Sequence, residues 1–166
     1  SRIQYVDGQA MGRVWSFRDV TRRTHAEEFR WRLAAIVESS NDAIVSATLD
    51  GVFTTWNAAA VRMFGYQPEE VIGEHIHILY PSERKDAEAQ ILERIRRGER
   101  VDNYETQRVC KDGRHLTVSL SVSPIRDESG RIMGMSKIAR DITQQKHDQE
   151  ALKTSEAKLR AVLDAT

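Results

Sequence analysis

One pattern occurs twice in this chain and restricts its fold more than any other feature. GQAMGRVWSFRDVTRRTH begins at Gly8 and GRIMGMSKIARDITQQKH at Gly130. Gly8, Met11, Gly12, Arg18, Asp19, Thr21 and His25 recur as Gly130, Met133, Gly134, Arg140, Asp141, Thr143 and His147, each 122 positions on. LAAIVES from Leu33 then resembles LRAVLDA from Leu159, at an offset of 126. Solenoid repeats have periods of about 20–50 residues, so a period this long is that of a whole domain. The expected organisation is a window on a tandem array. Residues 1–22 close a preceding domain, 23–39 form a linker helix, 40–143 one complete domain, and 144–166 a second linker helix leading onward.

The helical flanks share a stripe. Ala26, Phe29, Leu33 and Ile36 are spaced 3, 4 and 3, and Leu152, Ser155, Leu159 and Val162 repeat that spacing. Four inserted residues are close to one helical turn, so the apolar face keeps its bearing. Such stripes suit pairing with a second copy in a coiled coil; an amphipathic helix packed on its own domain has the same pattern.

Between the flanks, two short strands surround the turn Asp50-Gly51. Asn57 is a helix N-cap, Ala58 to Phe64 a short helix, and Gly65 its stop. Pro68 suits a first helical position, followed by Glu69 and Glu70 at the positive end of the helix dipole. Ser82 is expected to cap a longer helix running to about Arg97, with Ala87, Ile91 and Ile95 on its buried face. Val101 to Val109 reads as a strand, and Asp112-Gly113 as a hairpin turn. Leu116, Val118, Leu120 and Val122 alternate with polar residues, as in an antiparallel strand with one wet face. Pro124 is expected to end its regular pairing. A turn over Asp127 to Gly130 precedes a last strand from Arg131 to about Asp141. Strands, then helices, then strands give an α+β fold.

Composition adds exclusions. Lys plus Arg equals Asp plus Glu at 25 each, so no global attraction to nucleic acid or an acidic membrane surface follows. No apolar run approaches the roughly 20 residues of a membrane span. The single cysteine, Cys110, excludes an internal disulfide and fits a reducing compartment, which suggests the cytoplasm.

WNAAAVRMFGY, the KDGR hairpin and the closing DIT together resemble the PAS domain of the sensory-box type, over about Leu33 to Thr143. GRVWSFRDVT then looks like the last strand of a preceding PAS domain. The resemblance implies a five-stranded antiparallel sheet with helices across one face. It also implies a multidomain bacterial signalling protein such as a histidine kinase or a cyclic-di-GMP enzyme. Neighbouring PAS and output domains of the same chain would be its partners, alongside a second copy joined through the flanking helices.

Family members differ in what they hold. The light-sensing branch places a reactive cysteine where Ile76 stands here, so a cysteinyl-flavin adduct is not available. The oxygen-sensing branch uses a histidine in the long helix, where Ala87 takes that position, and Ser82 to Gly98 contains no histidine. His75 and His77 lack the accompanying ligands of a metal site. Cys110 and a solvent-facing His115 read as ordinary residues. A non-covalent flavin or small metabolite remains open, with candidate lining residues Ile44, Trp56, Met63, Phe64, Ile76, Ile91, Tyr104, Leu116, Val118 and Ile138. A packed core of those same residues, with Trp56 as a buried anchor, satisfies the pattern equally.

No catalytic motif appears. His147 in HDQEAL lacks the arginine and proline of the kinase phosphoacceptor box, and its twin His25 points to a linker residue. Any enzyme would therefore lie outside this stretch. The residues suit transmission instead. In the family the aspartate and threonine of DIT tie the last strand to the linker, which assigns Asp141 and Thr143 to signal transfer, with Arg140 beside them. As an N-cap cluster, Asp141 and Thr143 would have the same chemistry. A ligand-free spacer that only dimerises is the alternative to a sensor or relay.

Overall fold

The computed structural model describes residues 2–6, 9–14, 21–82 and 86–165. Two compact units divide at Ile36 and Val37. In the first, strands β1 (Arg2–Val6) and β2 (Gln9–Val14) pair as an antiparallel hairpin, and helix α1 (Thr21–Ser39) begins. The sequence suggested one strand here; the chain has two, and Trp15 to Val20 lie outside the described residues. Phe29, Leu33 and Ile36 of the α1 stripe are exposed, as is Trp31 on the opposite side of the helix.

The second unit is a five-stranded antiparallel sheet ordered β4-β3-β7-β6-β5. Its strands are β3 (Ala43–Ala47), β4 (Phe53–Trp56), β5 (Val101–Val109), β6 (His115–Arg126) and β7 (Ile132–Asp141). The chain crosses from the β4 edge to the β5 edge through α2 (Ala58–Phe64), α3 (Pro68–Val71), a 3-10 turn (Ile76–Leu79) and α4 (Asp86–Arg96). Helix α5 (Thr143–Asp164) leaves from the end of β7.

Local chemistry sets these boundaries. The Asn57 carboxamide caps α2 by accepting from the Ala60 N–H, and Gly65 ends the helix in the left-handed region at φ +82°. Gln67 and Glu70 form a reciprocal capping box around Pro68 in α3. Gly134, one of the repeated glycines, lies where β7 passes the Ala47 carbonyl, and a Cβ there would sit 2.7 Å from that oxygen. Pro124 does not end β6: the strand continues to Arg126 and Pro124 pairs with Met135. Pairing with β5 stops at Val122, so beyond it that flank of β6 is an edge, where a missing N–H removes no ladder bond.

The core lies between the helices and one sheet face. Ala43, Val45, Ala47, Phe53, Leu116, Val118, Leu120, Val122, Met135 and Ala139 supply the sheet side. Phe64, Val71, Ile76, Leu79, Ile91 and Ile95 supply the helical side. The side chain of Ala87, expected on the same α4 stripe, lies outside those described, as do Glu83, Arg84 and Lys85.

Candidate functional site

A small cavity of about 30 Å³ remains inside this core. Of the ten residues suggested by the sequence, Phe64, Ile76 and Val118 line it. Trp56 is buried beside it as an anchor. Its ring meets Phe53 edge-on at 5.1 Å and its indole N–H donates to the Tyr66 carbonyl at 3.0 Å. Ile91 and Leu116 are buried, and Met63 and Tyr104 partly so, but none of the four lines the cavity. Ile44 and Ile138 belong to the other sheet face. They are register partners, and Ile138 is 42% exposed. Strand side chains alternate, so the inward positions of Ala43, Val45 and Ala139 turn their neighbours outward.

Charged residues missing from the sequence expectation occupy the interior instead. Glu88 of α4, Arg108 of β5 and Lys137 of β7 are 2%, 5% and 6% exposed. Lys137 Nζ donates to Glu88 Oε1 at 3.0 Å, while Glu88 Oε2 has no hydrogen-bond partner. Arg108 donates to Thr106 Oγ1 at 3.1 Å, to the Gln107 carbonyl at 2.8 Å and to the Tyr80 hydroxyl at 3.1 Å. Its guanidinium carbon also lies 4.1 Å from the Tyr80 ring centroid. Burial holds the Lys137 ammonium below the usual lysine range, against the opposing attraction of Glu88. Burial also drives the Tyr80 phenol far up, so it stays protonated and can donate. These positions had a signal in the sequence. Lys137 is in phase with Met135 and Ala139, Arg108 with Thr106, and Glu88 with Ile91 and Ile95 on one helical stripe.

The histidines and the cysteine take local roles. His75 Nδ1 accepts from the His77 backbone N–H at 3.3 Å, and His115 and His147 are exposed. Cys110 is buried, donates to the Met63 carbonyl at 3.3 Å, and burial pushes its thiol pKa up, away from thiolate reactivity. Among the described residues no group of three or more His, Cys, Asp or Glu is placed to hold a metal ion. None of the described helices is long and apolar enough to cross a membrane.

The second constellation is the junction of sheet and exit helix. The Ile142 N–H donates to the Thr117 carbonyl at 2.9 Å, and the Thr117 N–H donates to Thr143 Oγ1 at 3.0 Å. Asp141 Oδ1 accepts from the Thr143 N–H at 2.9 Å. Ile142 itself holds the N-cap position without a side-chain cap bond and is buried, so an apolar anchor seats the helix start. Arg140 makes a two-pronged ion pair with Asp42, at 3.1 and 2.9 Å, joining the end of β7 to the residue preceding β3. Asp42 holds the Arg140 guanidinium above its ordinary pKa. Lys146 pairs with Glu105 of β5 at 2.7 Å.

Asn57, 1% exposed, joins the incoming segment to the same region. Its amide donates to the Val37 and Asp42 carbonyls at 2.9 and 3.2 Å, and its oxygen accepts from the Ile44 and Ala60 N–H groups, both at 3.0 Å. Glu38 accepts from the Ala58 N–H at 3.0 Å. The incoming end is thus hydrogen-bonded to α2 and ion-paired to β7, and the outgoing end is hydrogen-bonded to the sheet.

Comparison with known proteins agrees with this architecture. The sequence model of the PAS fold matches residues 32–142. Two-component system protein A of Emericella nidulans is 34% identical over 114 residues, which is 67% of this chain and 16% of that protein. The biofilm dispersion protein BdlA of Pseudomonas aeruginosa is 30% identical over 118 residues, 70% of this chain and 26% of its own length. The signal transduction histidine-protein kinase AtoS of Escherichia coli is 27% identical over 123 residues, 73% of this chain and 19% of its own length. The chain therefore spans about a quarter or less of these relatives. Among solved structures, the PAS domain of a Haloarcula marismortui HTR-like protein superposes with a TM-score of 0.62 at 27% identity, covering 73% of this chain and 98% of that one. A PAS domain from Colwellia psychrerythraea superposes at 0.64 and 25% identity, covering 70% and 98%.

Proposed function

This chain belongs to the PAS family, and from that premise we propose that it is a sensory or relay module of a larger signal-transduction protein. It passes conformational change from the incoming helix to the outgoing one. The observation that supports this reading most is the junction at Thr117, Asp141 and Thr143, seconded by the Arg140–Asp42 pair. A shift of β6 against β7 moves the acceptors that hold the first turn of α5. A cap of this kind acts as a switch when two arrangements lie close in energy.

The outgoing helix needs a partner to carry such a change. Leu152, Leu159 and Val162 are each at least 60% exposed. Leu152 and Leu159 stand seven apart, as do Ser155 and Val162, which is the a/d spacing of a two-stranded coiled coil. The partner we propose is a second copy, with the protein's other domains attached beyond. The kinase or other enzymatic activity belongs to those domains.

Hydrogen exchange tests the relay. Thr143→Val and Arg140→Ala should speed exchange of the first-turn amides of α5 while leaving β3 and β6 protected. Unchanged exchange in that turn would overturn the reading. The small cavity favours a second reading, a ligand-free spacer that dimerises and holds domains apart; native mass spectrometry showing an empty interior in freshly purified protein supports it.

A further inference from the structure

We propose that Arg108 is a latch on the free edge of β5, and that the surface it closes is one on which the β5 of a second copy would otherwise pair, antiparallel. The proposal concerns the sheet alone and does not rest on the relay reading.

The two edges of the sheet differ. β4 is four residues long, too short to template much pairing, and a bridge between Val52 and His75 adjoins it. β5 runs for nine residues and is the last strand on its side. A bulge between Val101 and Tyr104, with Asn103 at φ +51°, bends its first end. From Glu105 to Val109 it pairs with β6 in unbroken register.

Thr117 fixes which groups of that stretch face out. Its N–H and C=O are both engaged on the α5 side, with Thr143 and Ile142. Thr117 and its register partner Gln107 therefore form a non-hydrogen-bonded pair, and Gln107 turns its own N–H and C=O to the free edge. Glu105 and Val109, two residues to either side, do the same. An open groove of about 380 Å³ lies between this edge, at Gln107 and Val109, and the segment holding Ile78, Pro81 and Ser82.

Arg108 closes the edge from the inside. Its guanidinium donates to the Gln107 carbonyl, an edge acceptor, and reaches the Tyr80 hydroxyl and ring on the facing segment. All its acceptors are neutral, and a cation buried without a carboxylate costs stability. Inward-turned charge is one of the devices by which sheets blunt an exposed edge. A strand arriving at β5 would have to break the bond to Gln107 and leave the guanidinium without it.

The occupant follows from β5 itself. With a two-fold axis at Arg108, antiparallel pairing sets Gln107 opposite Val109 of the second copy, both outward-turned residues. Glu105 then meets Lys111 of the second copy, and Asp102 meets Arg114, so opposite charges face each other. Glu105, Lys111 and Arg114 now make exposed pairs within the chain, which cost little to exchange. At the axis Arg108 meets its own counterpart, like charge against like. The residue that occupies the edge acceptor also repels the copy that would replace it.

The test follows amide exchange of Glu105, Gln107 and Val109 in the 166-residue chain at low and high concentration, with light scattering alongside. In the wild type these amides should exchange fast at both concentrations. In Arg108→Met they should gain protection at the higher concentration, by about tenfold or more, and the scattering mass should exceed that of the wild type. Tyr80→Phe keeps the ring and removes one acceptor of the latch. It should show the same change in smaller measure, and it decides the question if Arg108→Met does not fold. Fast, concentration-independent exchange at these amides in the folded variants overturns the proposal, as does protection that already rises with concentration in the wild type. Protection without added mass would rule out a second copy as the occupant. Association through α5 is common to all three proteins, so the relay can fail without changing this comparison.

Discussion

Lys137 sits in a position where methionine would need no partner. Its ammonium is paired with Glu88, so removing either partner strands the other in the core. Lys137→Met is expected to destabilise the domain by about 3–5 kcal/mol. The double variant Glu88→Met/Lys137→Met should recover most of that loss, because two packed apolar side chains replace a pair whose desolvation cost offsets its attraction. Urea midpoints of the three proteins check this. The pH dependence has a definite sign. Burial lowers the folded-state pKa of Lys137 below its usual value of about 10.5. Between those two values the unfolded chain binds more protons than the folded one, so stability from this site rises with pH across that window. The stability gap between wild type and Lys137→Met should therefore widen as the pH is raised towards the usual lysine value. A gap that narrows would contradict the assignment. At Gly134 the backbone leaves no room: alanine there should cost about 1–3 kcal/mol as the Ala47 carbonyl is pushed aside.

Within the elements, Asn57 shows what one side chain can hold. Its four hydrogen bonds reach α1, the loop before β3, β3 and α2. Asn57→Ala should cost about 2–4 kcal/mol, more than a lost helix cap, because buried backbone groups on both sides lose their partners. Native-state hydrogen exchange at Ile44 and Ala60 would report it directly. The cap itself was legible, since asparagine before an alanine run is a strong local signal. Its bonds to Val37 and Asp42 were not, because they depend on tertiary placement. The same division runs through the sheet. Strict alternation in β6 identified its buried face from the sequence. In β7 hydrophobicity pointed to Ile138, but the inward phase belongs to Met135, Lys137 and Ala139. Small residues at Ala43, Ala47 and Ala139 sit on the face that the helices cover, and the larger Ile44 and Ile138 meet as a cross-strand pair on the opposite face. Sequence alternation fixes two faces without saying which one is inside, and a charged residue in phase with the core is the case where hydropathy misleads.

For the molecule as a whole, the repeated closing motif was the strongest sequence clue to domain-scale organisation. Its Arg140, Asp141 and Thr143 stand together at the end of β7, where strand becomes helix. On this account the domain is held at both ends: by Asn57 and Asp42 where the chain comes in, and by Thr117 and Thr143 where it goes out. The central claim is that the outgoing helix pairs with its counterpart in a second copy and carries the sheet's state along it. Cysteine scanning of Leu152 to Leu163 in a Cys110→Ser background tests this most directly, by the yield of disulfide-linked dimer under mild oxidation. The account predicts maxima at positions 152, 155, 159 and 162, with the pattern altered by Thr143→Val. Uniformly low yield, or maxima without the heptad period, would contradict it.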